Sequence, residues 1–361
     1  MTKSPLTIRS VSARAVVAPI HRPVRTAVGT IAAAPLLLLD VNTEEGVTGR
    51  SYLVGYTPIT LAPMVKLVDQ IAVDLKGKSV VPFERMRELD LRFRLLGMQG
   101  LVGMVVSGLD MAFWDILGKA AGTPVVQLLG GTPTPLQAYD SYGTVDIRAD
   151  ERDIAQTLER GFKAIKIKVG AGGLAQDVEC VREVRAMIGP DVSLMVDYNQ
   201  SLGPAEACRR IERLREFNLD WVEEPVSAQD LQGHARVRKV SGVPIQTGEN
   251  WWFPRDMQRA IAANASDLVM PDIMKIGGVT GWVAAAALAD AASLPMSSHI
   301  FVEASAHVLA VTPTFHWLEY LDFAGSILEE PAEVVAGKVR AKGPGLGISW
   351  DEEAVARYAV P

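Results

Sequence analysis

The chain has 361 residues, which is too long for one small domain and suits one large domain or two. Hydrophobic residues make up 48% of it, an ordinary share for a globular protein with a sizeable core. Asp and Glu outnumber Lys and Arg by 42 to 36, and the resulting net charge of −6 gives no electrostatic attraction to nucleic acid or to an anionic membrane.

The N-terminal residues 1–10 contain no apolar segment of the kind that directs secretion. The longest apolar run, 31–39, contains Pro35 and is far shorter than a membrane span. Cys180 and Cys208 stand in no metal-binding or redox spacing, so two reduced thiols are favoured over a disulfide. These features predict a cytoplasmic protein that contacts neither membranes nor nucleic acid.

Residues 1–130 predict a mixed α+β domain. Its predicted elements, in chain order, are strands at 6–20 and 36–41 and helices at 61–75 and 102–121. Turn signals are Gly46, Gly49 and Pro58, and the second helix is ended by Gly122 and Pro124. The Gly- and Pro-rich segment 325–361 is expected to return to this domain and complete it.

From Gln137 onward, short β-branched runs alternate with helical stretches of ten to fifteen residues. The predicted strands are 164–169, 194–197, 221–223, 245–247, 268–270 and 296–298. Such alternation implies a parallel sheet, and many successive units imply a closed barrel. The predicted fold class is therefore α/β, with a (β/α) TIM-type barrel over 131–324 capped by the α+β domain.

Seven ionisable residues follow one another at intervals of roughly one βα unit. They are Lys168, Asp197, Glu223, Glu249, Asp272, His299 and Glu319. Each lies in or just after an apolar run, near the carboxyl end of a predicted strand, where barrels of this type hold their active sites. Taken singly, each would be read as a solvated loop charge; taken together, they predict a site at the barrel mouth.

Asp197, Glu223 and Glu249 form an all-oxygen set on three successive units. Such a set suits a hard cation, and Mg²⁺ fits best because it keeps open positions for substrate oxygens. Glu223 has the alternative of being a lysine's salt-bridge partner. Spacing does not decide between Glu223 and Glu224 as the ligand, although their side chains are expected on opposite faces.

Lys166 and Lys168 lie two residues apart in a predicted strand and therefore share a face. Two neighbouring ammonium groups are expected to lower each other's pKa, as a lysine base requires. The alternative is that both lysines reach solvent from a strand end.

His299 and Asp272 end adjacent predicted strands, and a carboxylate bonded to a ring nitrogen would fix the histidine tautomer. Glu319 is interpreted as a protonated acid with a raised pKa that donates to a developing oxyanion. No role is assigned to His234, His307 and His316, whose surroundings in the sequence carry no such pattern.

The motifs around these residues are specific and span most of the chain. They read MAFWDILGK at 111–119, KIK at 166–168, VDYNQ at 196–200, EEP at 223–225, GEN at 248–250, PDIMKIGG at 271–278 and SSH at 297–299. With them the chain resembles the enolase superfamily, and within it the mandelate racemase subgroup. Enzymes of this superfamily remove the α-proton of a carboxylate with a Lys or His base and Mg²⁺.

The resemblance implies a role for each site residue. One Mg²⁺ per subunit would be bound by Asp197, Glu223 and Glu249. Lys168 would be the base on one substrate face, and His299, oriented by Asp272, the base on the other. The substrate oxygens would be contacted by Lys166, Asn199, Ser141 and the acid Glu319.

The resemblance also implies that the cap lines the substrate's side-chain pocket. Its residues would be Val24, Thr26, Val28, Ile31 and Tyr56, joined by Leu321 from the barrel. The mostly apolar set favours an aromatic or aliphatic substituent over a sugar. Arg25 and Tyr142 stand where the subgroup usually has histidines, and both are expected near the pocket.

Two bases on opposite faces imply racemisation of a 2-hydroxy carboxylate, or alternatively dehydration of an acid sugar. A cycloisomerase with Lys275 as the opposing base is disfavoured because the Asp272 and His299 pair is present. A non-catalytic binding protein is disfavoured because every site position is filled. The expected partner is a small carboxylate substrate, and the expected assembly is a homo-oligomer, an octamer by resemblance.

Overall fold

The computed structural model describes residues 6–26 and 29–360. The chain begins with an antiparallel sheet of three strands, β1 (Ile8–Thr26), β2 (Gly29–Thr43) and β3 (Thr48–Val54), in the order β1-β2-β3. Four helices follow, α1 (Leu61–Leu75), α2 (Pro82–Phe93), α3 (Leu101–Ala121) and α4 (Val125–Leu128). The two predicted helices are confirmed, whereas the strands are longer than predicted and β3 was missed.

Helix α3 is the core helix of this part of the chain, and it packs against β3. A Cβ on Gly49 of β3 would lie 2.1 Å from the carbonyl oxygen of Ala112, so only glycine permits this approach. Among the described residues, α3 alone is long and apolar enough to cross a membrane, but 83% of its apolar window is buried inside the fold. Its hydropathy is thus that of a buried helix.

The barrel is built from seven parallel strands and one position held by isolated bridges. The strands are β4 (Leu136–Thr144), β5 (Ala164–Lys168), β6 (Ser193–Asp197), β7 (Trp221–Glu223), β8 (Ile245–Thr247), β9 (Leu268–Val269) and β10 (Leu318–Tyr320). Neighbours pair in chain order from β4 to β9, and β10 pairs with β4. Met296 bridges both Val269 and Phe315 and so closes the barrel, although the strand predicted at 296–298 is reduced to isolated bridges.

Seven helices surround these strands: α5 (Ile147–Glu159), α6 (Leu174–Ile188), α7 (Pro204–Leu214), α8 (Leu231–Ser241), α9 (Phe253–Ala262), α10 (Gly278–Ala291) and α11 (Val302–Leu309). Outward side chains such as Ile165, Ile167 and Val196 pack with them in one buried cluster. The side chains that alternate with these, including Lys166 and Lys168, point into the barrel. The predicted α/β barrel with a capping domain is confirmed.

The C-terminal segment contacts both parts of the chain. Its elements are β11 (Val334–Val335), β12 (Lys338–Val339) and α12 (Glu352–Tyr358). Strand β12 pairs with β4 of the barrel, whereas α12 packs on β1 and Trp350 donates to Asp40 of β2 at 2.9 Å. The predicted domain boundaries at 130 and 325 stay a prediction.

Candidate active site

Three buried carboxylates meet at the carboxyl ends of β6, β7 and β8. Asp197, Glu223 and Glu249 each offer one oxygen, and these oxygens lie within 4.8 Å of one another. Strand register explains the meeting, because Asp197 of β6 pairs directly with Glu223 of β7. Three anionic oxygens from Asp and Glu alone match the ligand preference of Mg²⁺, so the residues present fit the predicted metal.

The neighbouring acid Glu224 is not one of the three carboxylates that meet here. Its backbone adopts a positive φ of 34°, and its carboxylate accepts a hydrogen bond of 2.7 Å from Asn250. The ligand order left open by the spacing is therefore answered by the geometry, which brings Glu223 and not Glu224 to the other two carboxylates.

The inward lysines are ion-paired with acids across the barrel. Lys166, only 2% exposed, lies 2.5 Å from Glu223 and 2.8 Å from Glu319. Lys168 lies 2.5 Å from Asp197. Glu223 is thus a member of the triad and a lysine partner at once, and the alternative of a solvated Lys166 is wrong.

Without a metal ion, the pKa values of the two lysines are raised, whereas the sequence predicted lowered values. Burial lowers the pKa of Lys168, but the carboxylates of Asp197 and Glu249 outweigh burial and raise it. Burial likewise lowers the pKa of Lys166, and Glu223 and Glu319 raise it well above its usual value. Because Lys168 shares Asp197 with the metal position, a cation bound there would weaken the interaction that keeps this lysine protonated.

His299 is held by carboxylates on both ring nitrogens. Its Nδ1 lies 2.7 Å from Asp272, as the sequence predicts, and its Nε2 lies 3.2 Å from Glu249. Burial lowers its pKa, but Glu249 and the hydrogen bond to Asp272 raise it to about 9. The imidazole is therefore protonated at neutral pH.

Glu319 differs from the protonated acid expected from the sequence. Burial raises its pKa, but the charges of Lys166 and His299 reverse this effect and lower the pKa to about 2. One oxygen pairs with Lys166, and the other accepts the backbone N–H of Ile300 at 2.9 Å. The Glu319 carboxyl group is ionised, because the cations that surround it favour the charged form.

The predicted substrate contacts Ser141 and Asn199 lie near this cluster, as does Lys275, the opposing base of the cycloisomerase alternative. Ser141 is buried on β4 and pairs in register with Lys166. The Asn199 side chain lies 3.4 Å from Glu249. Lys275 donates to Asn250 at 2.7 Å and stands 4.9 Å from the centroid of the Tyr56 ring, so its ammonium group is already bound.

The apolar residues predicted to line a pocket are only partly described. Val24 is buried and pairs with Ile31 across β1 and β2. Val28 lies outside the described residues, and of Thr26 only the backbone pairing with β2 is described. Leu321 follows β10 and lines an outer cavity. Tyr56 is 50% exposed.

Arg25 and Tyr142, expected near the pocket, direct their polar groups toward helix α5. The Tyr142 hydroxyl bonds Thr157 at 2.7 Å, and the Arg25 guanidinium pairs with Asp150. The Tyr142 ring packs in the same buried cluster as the outward side chains Ile165 and Val196, so it lies on the outer face of the sheet. The expectation that Tyr142 lies near the pocket is therefore wrong.

Two buried side chains that the sequence did not point to donate hydrogen bonds to the triad carboxylate of Glu223. Its Oε2 accepts from Trp221 Nε1 at 3.2 Å and from Gln246 Nε2 at 3.3 Å. Gln246 pairs in register with Glu223 across β7 and β8. Gln246 could have been found from the sequence, because it is a polar residue in a predicted strand one βα unit after the predicted ligand Glu223.

Replacing Gln246 by Leu is expected to weaken Mg²⁺ binding about 10- to 100-fold, because groups that orient a ligand commonly contribute that much to metal affinity. Titration calorimetry with Mg²⁺ measures the change. Thr247→Val is the matched control, since the Thr247 hydroxyl is buried on the same strand without a hydrogen-bond partner. Equal affinity of Gln246→Leu and the wild type would show that Glu223 needs no such support.

Comparison with known proteins agrees with this arrangement. Residues 8–130 match the mandelate racemase / muconate lactonizing enzyme N-terminal domain, and residues 149–354 match the enolase C-terminal domain-like family. An enolase from Bradyrhizobium, crystallised with magnesium and mandelic acid, is 59% identical, with a TM-score of 0.98 over 100% of both chains. This relative and the buried triad confirm Mg²⁺ as the predicted cofactor.

Two relatives of known activity are less similar. The L-talarate/galactarate dehydratase of Salmonella typhimurium is 32% identical over 263 residues, which cover 72% of this chain and 66% of that enzyme. The D-galactarolactone cycloisomerase of Agrobacterium fabrum is 32% identical over 352 residues, covering 90% of this chain and 91% of that enzyme. Matches over both parts of the chain, together with the buried carboxylate triad, show that this protein is an enzyme of the enolase superfamily, in its mandelate racemase/muconate lactonizing enzyme subgroup.

Proposed function

We propose that the enzyme racemises a 2-hydroxy carboxylate, mandelate or a close aryl analogue, with Lys168 and His299 as two bases. The observation that carries this proposal is the placement of the two groups on different members of the triad. Lys168 bonds Asp197 from β5, whereas His299 contacts Glu249 from the segment before α11. Two proton-transfer groups at separate positions around one carboxylate site suit removal and return of a proton on opposite faces.

In the proposed reaction, the Lys168 amine takes the α-proton of one enantiomer and the His299 imidazolium gives a proton to the other face. The reverse direction exchanges these roles. Mg²⁺ bound by the triad supplies positive charge beside the substrate carboxylate, which makes the α-proton more acidic. Lys166, fixed between Glu223 and Glu319, adds a second positive charge there.

The substrate class rests on two supports. Val24 and Ile31 give the cap an apolar character, which suits an aryl or alkyl substituent. The Bradyrhizobium relative, at 59% identity, was crystallised with mandelic acid. The octamer and the cytoplasmic location expected from the sequence stay predictions.

Dehydration of an acid sugar is the second candidate, because His299 could protonate a leaving β-hydroxyl and a dehydratase is among the relatives. A cycloisomerase that uses Lys275 as its base is less well supported, since Asn250 already binds that ammonium group. A purely binding role is not supported, because the carboxylate triad and both predicted bases are present in the site.

Incubation of the enzyme with Mg²⁺ and mandelate in D₂O is expected to remove the α-proton signal from the NMR spectrum while polarimetry shows racemisation. A panel of 2-hydroxy acids and acid sugars extends the test, and protein treated with a chelator is the control. Turnover of sugar acids alone, with 2-keto-3-deoxy products, would replace the racemase proposal by the dehydratase.

A further inference from the structure

The backbone that follows His299 has an unusual conformation. Ile300 and Phe301 have positive φ values of 38° and 49°, a region that residues with branched or bulky side chains rarely adopt. Both residues are buried. Two consecutive residues of this kind persist only where the surrounding structure holds them, and such strain is often found beside reactive groups.

Helix α11 and Glu319 hold part of this turn. Glu319 accepts the Ile300 N–H at 2.9 Å. The Ser305 hydroxyl donates to the Ile300 carbonyl at 2.8 Å, and the Ser305 N–H donates to the Phe301 carbonyl at 2.8 Å. These bonds fix the peptide groups of Ile300 and Phe301. They do not involve the Phe301 ring.

The ring is held from the capping sheet. Tyr52 of β3 stacks on Phe301 with ring centroids 5.1 Å apart and planes inclined by 29°. The Tyr52 hydroxyl donates to Glu303, in the first turn of α11, at 2.7 Å. Tyr52 therefore spans the turn, with its ring on Phe301 and its hydroxyl on the helix that follows. Tyr52 and Glu303 are both buried, so water competes little for this bond.

We propose that Tyr52 is a positioning residue through which the capping sheet sets the orientation of His299. The contact between Tyr52 and the turn after His299 is expected to affect His299 and not Lys168. Lys168 lies within β5, where its register with Asp197 is fixed by the barrel. This inference rests on the proposed two-base function. A small displacement of a reactive group can lower a rate by about 100-fold, so the effect is measurable.

The test measures deuterium incorporation from D₂O into each pure enantiomer of mandelate by the Mg²⁺-loaded enzyme. Lys168→Met first identifies the enantiomer whose exchange depends on His299. Tyr52→Leu is then expected to slow exchange of that enantiomer by about 10- to 100-fold and to change exchange of the other by less than about twofold. Tyr52→Phe, which keeps the ring and loses the hydroxyl, is expected to fall between Tyr52→Leu and the wild type.

Ser305→Ala gives an independent arm, since it releases the same turn from the helix side without touching the capping sheet. It is expected to show the same one-sided loss. Equal loss of exchange for both enantiomers in Tyr52→Phe and Ser305→Ala would overturn the inference and leave the racemase proposal standing. Absence of exchange of either enantiomer by the wild type would overturn the proposed function, and the inference with it.

Discussion

Glu249→Gln is expected to abolish both Mg²⁺ binding and turnover, with a loss of metal affinity greater than about 100-fold, more than the loss of an outer-shell group. The substitution keeps an oxygen but removes one of three negative charges from the buried triad. It also removes the charge nearest His299 Nε2, which is 3.2 Å away. Titration calorimetry measures the affinity, and exchange in D₂O measures the turnover.

Glu224→Gln is the matched control for this prediction. Glu224 is equally buried and adjoins the ligand Glu223, but its carboxylate is bonded to Asn250 and is not one of the three that meet in the triad. Gln at this position keeps an oxygen that can accept the hydrogen bond from Asn250. The control should therefore bind Mg²⁺ almost as the wild type does. Full wild-type activity after exhaustive chelation would contradict the metal requirement itself.

The positions of the site residues could be predicted from the sequence because a parallel barrel has one mouth. Each strand that carries a ligand is only three to five residues long, and its inward carboxylate stands at or just beyond its end. Asp197, Glu223 and Glu249 therefore had to meet once the strands were in register. Strand alternation also placed Lys166 and Lys168 on the inner face.

The protonation states could not be predicted because they depend on partners from distant strands. Lys166 is two residues from Lys168 in the sequence, but Glu223 and Glu319 are the charges that pair with its ammonium group. The local pair predicted a lowered pKa, whereas the cross-barrel acids raise it. The ion pair with Lys166 also lowers the pKa of Glu319, so this side chain is not the neutral acid that the sequence predicted.

Strand β3 was missed for a related reason. Gly49 reads as a turn residue in the sequence, but it lies within β3, where its missing side chain lets helix α3 approach. The requirement comes from a helix more than fifty residues later. Tyr52 lies on the same strand and was not predicted either. Its hydroxyl links the capping sheet to the barrel through a hydrogen bond to Glu303.

His299→Asn is expected to stop racemisation in both directions while leaving α-proton exchange of one enantiomer intact. Without His299, no group can donate a proton to one face of the α-carbon. Lys168 can still remove and return the proton on the other face. Asp197, Glu223 and Glu249 remain in place, as does Lys166, so the charge that acidifies the α-proton is retained. Lys168→Met should show the mirror pattern, with exchange confined to the other enantiomer.

The measurement is deuterium incorporation from D₂O into each pure enantiomer of mandelate, followed by NMR with retention of configuration checked by polarimetry. The two variants serve as controls for each other, because each removes one base and leaves the triad complete. Their losses should be confined to opposite enantiomers, since His299 contacts Glu249 and Lys168 contacts Asp197. Exchange of both enantiomers by either variant would refute the two-base assignment. Lys275 would then be the next candidate, provided that its ammonium group leaves Asn250, 2.7 Å away, to reach the substrate.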